Sequence, residues 1–220
     1  MLSLLEVQFD AALGLVVVAA VVLVGRLRLP RRGSAPPPVA TRRLLPGTMA
    51  AWLGGTLVVT LWPIAVLLVP SVAYDWPPIP NAPWTAVLQL LGIALGLGGG
   101  LLFVSAVRAL GVHMTPAIQA QAGHRLVQQG PYRRIRHPVY TAILAVSLGQ
   151  TLLYLSAPLA ALTVMLLALA VYRSGLEEEL LGSPEIFGSA YGAYQSRTGR
   201  FLPRLGREAS AGSGSPPPNV

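Results

Sequence analysis

Two segments of the chain concentrate side chains that could do chemistry. One is His124-Arg-Leu-Val-Gln-Gln-Gly-Pro-Tyr-Arg-Arg-Ile-Arg-His-Pro-Val-Tyr140, and the other runs from Arg173 through Glu177-Glu178-Glu179 to Tyr191, Tyr194 and Arg200-Phe201-Leu202-Pro203. In the first, a basic interfacial loop leading into a helix accounts for the arginines and for Pro138, because proline is favoured in a helix's first turn. It does not account for His137 and Tyr140 on either side of that proline, nor for the Gly130-Pro131-Tyr132 turn upstream. In the second, Arg173 and Glu177 at i,i+4 would form a helical ion pair of a few tenths of a kcal/mol. Three successive carboxylates nevertheless sit poorly near a helix C-terminus, whose dipole favours cations. With no cysteine, thiolate nucleophiles, disulfides and cysteine-ligated metals are excluded, and three histidines (His113, His124, His137) leave little for a metal site.

The elements that must position these side chains are membrane elements. Hydrophobic residues make up 53% of the sequence and charged residues only 11%, against about 25% charged in soluble domains, so bilayer must cover much of the surface. All 16 basic residues are arginine, against 8 acidic residues, for a net charge of +8. The arginines fall in short loops beside apolar runs, where they orient a membrane protein, so nucleic acid is not the expected partner. Charged residues delimit spans at about 11–25, 49–70 and 84–107. The uncharged run Pro138–Tyr172 would be about 53 Å long as one helix at about 1.5 Å per residue. Ser156 and Pro158 near its middle therefore predict a hairpin of two spans, Val139–Leu155 and Pro158–Tyr172.

The predicted fold class is thus all-α, an integral membrane bundle of about five helices. Residues 1–205 form a single domain and 206–220 a tail. Arginines follow spans one, three and five and are missing from Met1–Asp10, Ser71–Pro83 and Ser156–Ala157, which predicts an outside N-terminus and a cytoplasmic C-terminus, in a bacterial inner membrane. Glu6 and Asp10 in place of a basic leader make span one an anchor and not a cleaved signal peptide. Gly33–Pro38 and Ala209–Val220 have the composition of disordered segments. Gly92, Gly96 and Gly100 give span three a smooth face, fit for close helix packing or for a cofactor or lipid tail.

The order and spacing of these residues resemble the isoprenylcysteine carboxyl methyltransferase family, which also embraces phospholipid N-methyltransferases and bacterial members. The matching pattern is His124-Arg125-Leu126-Val127, Gly130-Pro131-Tyr132, Arg136-His137-Pro138-Val139-Tyr140, an apolar hairpin, Arg173 before Glu177-Glu178, and Phe187-Gly188, Tyr191, Tyr194 and Arg200-Phe201-Leu202-Pro203. The resemblance implies a methyltransferase that uses S-adenosyl-L-methionine, held in a cytoplasmic cofactor pocket of the bundle roofed by the C-terminal segment. It implies that His124, Arg125, Leu126, Val127, Tyr132, His137, Pro138, Val139, Tyr140, Glu177 and Glu178 form the cofactor site, and that Arg173 and Glu177 are catalytic, Arg173 addressing the acceptor. It leaves open which of Glu177, Glu178 and Glu179 meets the cofactor, since about two extra residues appear around Ser183-Pro184. Ala142 stands where the family usually has glycine.

The residue types suit that reaction. Methyl transfer from a sulfonium removes a positive charge from sulfur, so alignment and exclusion of water matter most, and no metal is needed. Tyr132 or Tyr140 can hold the sulfonium by cation–π attraction, and a glutamate can accept hydrogen bonds from cofactor hydroxyl or ammonium groups. A carboxylate acceptor needs no base and fits the Arg173 fork, whereas an amine would need Glu178 or neutral His137 as base. The expected acceptor is a lipid-like or isoprenoid molecule, a carboxylate first; a phospholipid amine or a small thiol are the alternatives. Two other classes stand beside this one: an NADPH-dependent intramembrane reductase, which resembles a longer bundle, and a non-catalytic membrane scaffold.

Overall fold

The computed structural model describes residues 2–15, 38–78, 82–111, 114–121 and 125–204. Its first helix, α1 (4–15), opens with a reciprocal cap: the Ser3 amide donates to Glu6 Oε2 at 2.7 Å and the Glu6 amide to Ser3 Oγ at 3.3 Å, which satisfies two of the donors a helix start leaves free. Residues 16–25, the remainder of the first expected span, lie outside the described residues, as do Gly33–Pro37 and the tail from residue 205. Pro38 is described. It opens β1 (Pro38–Thr41), which pairs antiparallel with β2 (Gln119–Gln121), so the disordered stretch expected up to Pro38 is corrected at that residue. Strands this short, without apolar alternation, have no sequence signature.

The remaining helices are α2 (Thr48–Leu68), the single turn α3 (Pro70–Ala73), α4 (Thr85–Leu110), α5 (Pro138–Tyr154), α6 (Ala157–Leu181) and α7 (Gly188–Arg197), with a 3-10 turn at Gly130–Arg133. Helices α2, α4 and α6 are each long and apolar enough to cross a membrane, and α5 is a shorter apolar helix of the bundle. The protein is a helical membrane bundle. The hairpin falls where the proline placed it, with Leu155 in the left-handed region at φ 51° ending α5, and Pro158 in the first turn of α6. Its second arm does not stop at Tyr172. The helix continues through Arg173 and the glutamates to Leu181, because charge ends an apolar run without breaking the backbone's helical hydrogen bonds.

The two ends of the bundle differ. At one, buried Gln89 accepts from the Leu2 amide at 2.7 Å and donates to the Leu153 carbonyl at 3.1 Å, while Tyr74 donates to the Leu2 carbonyl at 2.9 Å. The start of α1, the α3 corner and the α5–α6 turn are thereby tied together. At the other end Leu45 meets Tyr172, and Arg42 meets Ile118 and Glu179. All described arginines belong to the segments at this second end.

Helices α4 and α5 are in the closest contact. A Cβ on Gly92 would lie 2.6 Å from the Gly149 carbonyl oxygen, one on Gly149 2.7 Å from the Gly92 oxygen and the Gly96 nitrogen, and one on Gly99 3.0 Å from the Ala142 oxygen. The packing face is therefore Gly92 and the Gly96 backbone against Gly149, and Gly99 against Ala142 and Val146, while a Cβ on Gly96, Gly98 or Gly100 would meet nothing within 4 Å. Between α5 and α6, Thr163 lies 2.7 Å from Ser147 and 3.1 Å from Thr151, a hydroxyl cluster of the kind that joins helices in membranes.

Candidate active site

The start of α5 builds the site. The segment 130–137 arrives through the 3-10 turn, and its amides are claimed by the chain's C-terminal strap: Arg136 N donates to the Gly199 carbonyl at 2.8 Å, His137 N to the Arg200 carbonyl at 3.0 Å, and Gly199 N to the Arg134 carbonyl at 3.1 Å. Thr141 adds a 2.7 Å bond to the Phe201 carbonyl. His137 and Tyr140 then stack, with ring centroids 5.5 Å apart and planes 16° from parallel, and Trp52 of α2 meets Tyr140 edge-on at 5.1 Å.

A pocket opens beside them. Arg125, Leu126, Val127, Tyr132, His137, Val139, Tyr140 and Glu177 line it, all from the residues singled out in the sequence, together with Phe187, Tyr191 and Tyr194 from the C-terminal segment. Pro138 is buried in the first turn of α5 and Glu178 in an ionic cluster; neither lines the pocket. His124 lies outside the described residues. The opposite wall has no signature in the sequence: Leu110, Met114, Thr115, Ala117 and Gln119 reach it from the end of α4 and the connection through β2. Such ordinary residue types acquire a role only through the β1–β2 pairing that fixes their loop.

The three glutamates point three ways, as successive residues about 100° apart around a helix must. Glu177 faces the pocket, accepts from the Tyr140 hydroxyl at 3.1 Å and lies 3.6 Å from His137 Nδ1. Glu178 turns to Arg136, His137 and Arg200. Glu179 is 60% exposed and pairs with Arg42 at 2.9 Å, a surface contact worth about 0–1 kcal/mol.

Burial, with Glu177 next, raises the Tyr132 phenol above its ordinary range, and burial, with Glu178 and Glu177 next, does the same to Tyr191. Tyr194 is pushed up to about 12 by burial, against the pull of Arg136 and Arg197. These phenols are therefore neutral hydrogen-bond donors near neutral pH, and Tyr194 donates to the Tyr132 carbonyl at 2.7 Å.

Arg173 sits apart from the pocket lining. It is 1% exposed, with its guanidinium over the Trp52 ring at 5.5 Å, 3.6 Å from Met49 Sδ, and bonded to the Pro116 carbonyl. Among the described residues it makes no ion pair, and its Nε is buried without a partner. The i,i+4 pair with Glu177 is not formed. A buried cation is costly unless an anion joins it, so this is a place where an anionic group would be welcome.

Fold and site together define a membrane-embedded helical protein with an aromatic, carboxylate-bearing pocket at its arginine-rich end. Residues 92–183 match the model of the isoprenylcysteine carboxyl methyltransferase (ICMT) family. The resemblance carried by the motifs is thus borne out, and that segment of the chain is a segment of this methyltransferase family. No curated protein matches the chain. The matched segment runs from α4 through α6; the strap Phe187–Pro203 lies beyond it yet packs against its motif.

Proposed function

We propose that this protein transfers a methyl group from S-adenosyl-L-methionine to the anionic head of a lipid-like or isoprenoid acceptor, a carboxylate foremost, at the cytoplasmic face of the membrane. The observation that carries this reading is that one pocket brings the rings of Tyr132, Tyr140, Phe187, Tyr191 and Tyr194 and the Glu177 carboxylate to one place from segments far apart in sequence. The residues fit the cofactor. Aromatic and aliphatic walls suit an adenine ring, ring faces suit a sulfonium, and Glu177 supplies an acceptor for hydroxyl or ammonium groups.

Bound there, the cofactor supplies an electrophilic methyl group. Leu126, Val127 and Val139 would exclude water from it, and His137, stacked on Tyr140, would fix that ring's angle to the pocket. On this reading Arg125 guards the mouth from its exposed loop. Arg173, carrying unused donor capacity, would hold the acceptor's carboxylate with its fork, and a carboxylate nucleophile needs no base. Substituting Glu177→Gln removes a charge-assisted partner worth about 1.5–3 kcal/mol. It should weaken S-adenosylmethionine binding about 10- to 100-fold by calorimetry while leaving the fold intact; unchanged affinity would refute the pocket assignment. Thermal stabilisation by S-adenosylhomocysteine and not by NADPH separates the methyltransferase from a reductase. Incubation with radiolabelled cofactor and a total lipid extract would then identify the acceptor.

The same reading puts the arginine-rich end in the cytoplasm, with the N-terminus outside. Single cysteines at Ser3, Ser71 and Ser196 in intact cells should label from outside, outside and inside respectively with an impermeant maleimide. Outside labelling at 196 would invert the scheme and strand the pocket away from cytosolic cofactor.

A further inference from the structure

Glu178 is saturated. Its Oε1 accepts from Arg136 Nε at 2.8 Å and lies 3.1 Å from His137 Nε2, and its Oε2 accepts from Arg200 Nη2 at 3.1 Å and Gln195 Nε2 at 3.3 Å. Four partners fill the roughly four acceptor sites of a carboxylate, and the side chain is 11% exposed, so nothing is left for a ligand. The partners belong to two pieces of chain distant in sequence, which also meet through the backbone bonds at 134–137: Arg136 and His137 lead into α5, while Gln195 and Arg200 lie in the strap that ends α7 and returns across it. Arg136 completes the junction by donating to the carbonyls of Gln195 and Thr198. These carbonyls lie at the α7 C-terminus, where a helix lacks internal donors and favours a cation.

Helix α7 carries Tyr191 and Tyr194, which form one side of the pocket. Its own sequence, Gly188-Ser-Ala-Tyr-Gly-Ala-Tyr-Gln-Ser-Arg197, is short and contains two glycines, too weak a helix former to hold its place alone. We propose that Glu178 is a positioning residue, the latch that fastens the C-terminal strap to the first turn of α5 and so holds Tyr191 and Tyr194 against the pocket, while Glu177 alone of the glutamates faces the ligand. The latch itself is independent of what the pocket binds; its effect on the cofactor rests on the methyltransferase reading.

Glu178→Gln places an amide nitrogen among the donors of Arg200, Gln195, Arg136 and His137, and one half of the latch must open. Arg200→Gln removes the outer half alone, at a side chain that is 35% exposed, and keeps the proposal testable if the first variant folds poorly. Hydrogen exchange of full-length protein in nanodiscs should show faster exchange, about tenfold or more, in peptides covering 190–201 for both variants. The double variant should add little to Glu178→Gln, because both act on one contact. Calorimetric titration with S-adenosylmethionine should give a Kd raised about tenfold in both. In turnover with the identified acceptor, the cofactor KM should rise while kcat at saturating cofactor and the acceptor KM hold, a split that general destabilisation would not produce.

Glu177→Gln should do the reverse, losing cofactor affinity with the strap's exchange unchanged. Strap exchange unaltered in Glu178→Gln and Arg200→Gln, or fully additive effects in the double variant, would overturn the latch. Faster strap exchange in a protein that binds no S-adenosylmethionine even as wild type would uphold the latch and overturn the methyltransferase reading instead.

Discussion

Arg173→Met should stop methyl transfer while leaving the protein at least as stable as wild type. The guanidinium is 1% exposed, has no carboxylate partner among the described residues and holds an unpaired Nε; its neighbours include the Met49 sulfur, the Trp52 ring, the Pro116 carbonyl and the Tyr140 phenol. A structural arginine at such depth would be expected to have an anion beside it, since an uncompensated buried charge costs several kcal/mol. Methionine has similar reach, packs well beside an indole and a thioether, and removes that cost. A site arranged to suit an absent partner over its own stability is characteristic of function.

If the partner is the acceptor's carboxylate, removing the fork forfeits charge-assisted bonds of about 1.5–3 kcal/mol each, a fall of about 10²–10⁴ in kcat/KM for two. Cofactor affinity should stay within about threefold. Arg173→Lys should fall between, with its charge kept, its fork lost, and the deficit mainly in the acceptor KM. Retained transfer in Arg173→Met, or cofactor affinity lost along with stability, would make this residue a structural prop.

The sequence made the site's floor legible and not its walls. His137, Tyr140 and Tyr132 stood out because a proline-led helix start explains neither an imidazole nor two phenols around it, and the structure places all three on one pocket. Glu177 could not be told from Glu178 by spacing, since both follow Arg173 by about one helical turn. Only the positions of Arg136, Gln195 and Arg200, fixed by tertiary contacts, turn Glu178 away from the pocket. The surroundings of Arg173 were hidden for a similar reason: Met49 and Trp52 come from α2 and Pro116 from the connection into β2, and only tertiary packing around α6 brings both to it. Charge marks where a bilayer ends, so the sequence predicts the end of the last span at Tyr172. The backbone obeys a different rule and keeps its helix to Leu181, and that extension is what carries the glutamates to the site.

Gly149→Ala should be among the most damaging single-methyl changes in the bundle, and Gly100→Ala among the mildest, although both add one methyl to a membrane helix. The new Cβ at 149 would meet the Gly92 oxygen and the Gly96 nitrogen at 2.7 Å. Both are backbone atoms of α4 that cannot swing aside, so α4 and α5 must separate. Overpacking of this kind costs about 1–3 kcal/mol where side chains can yield, and here none can, so the upper end is expected, read as a fall in thermal midpoint of several degrees. At Gly100 the Cβ would find nothing within 4 Å, and alanine's helix preference of up to about 1 kcal/mol over glycine makes the change neutral or slightly stabilising. The damage at 149 should also reach the pocket. The first turn of α5 carries Tyr140, and the end of α4 brings Leu110 and the connection holding Met114 and Thr115 to the opposite wall, so widening the crossing spreads the two walls. Cofactor affinity in Gly149→Ala should therefore fall even at temperatures where the variant stays folded. Equal, small effects at 149 and 100 would mean that the two helices do not meet where their glycines place them.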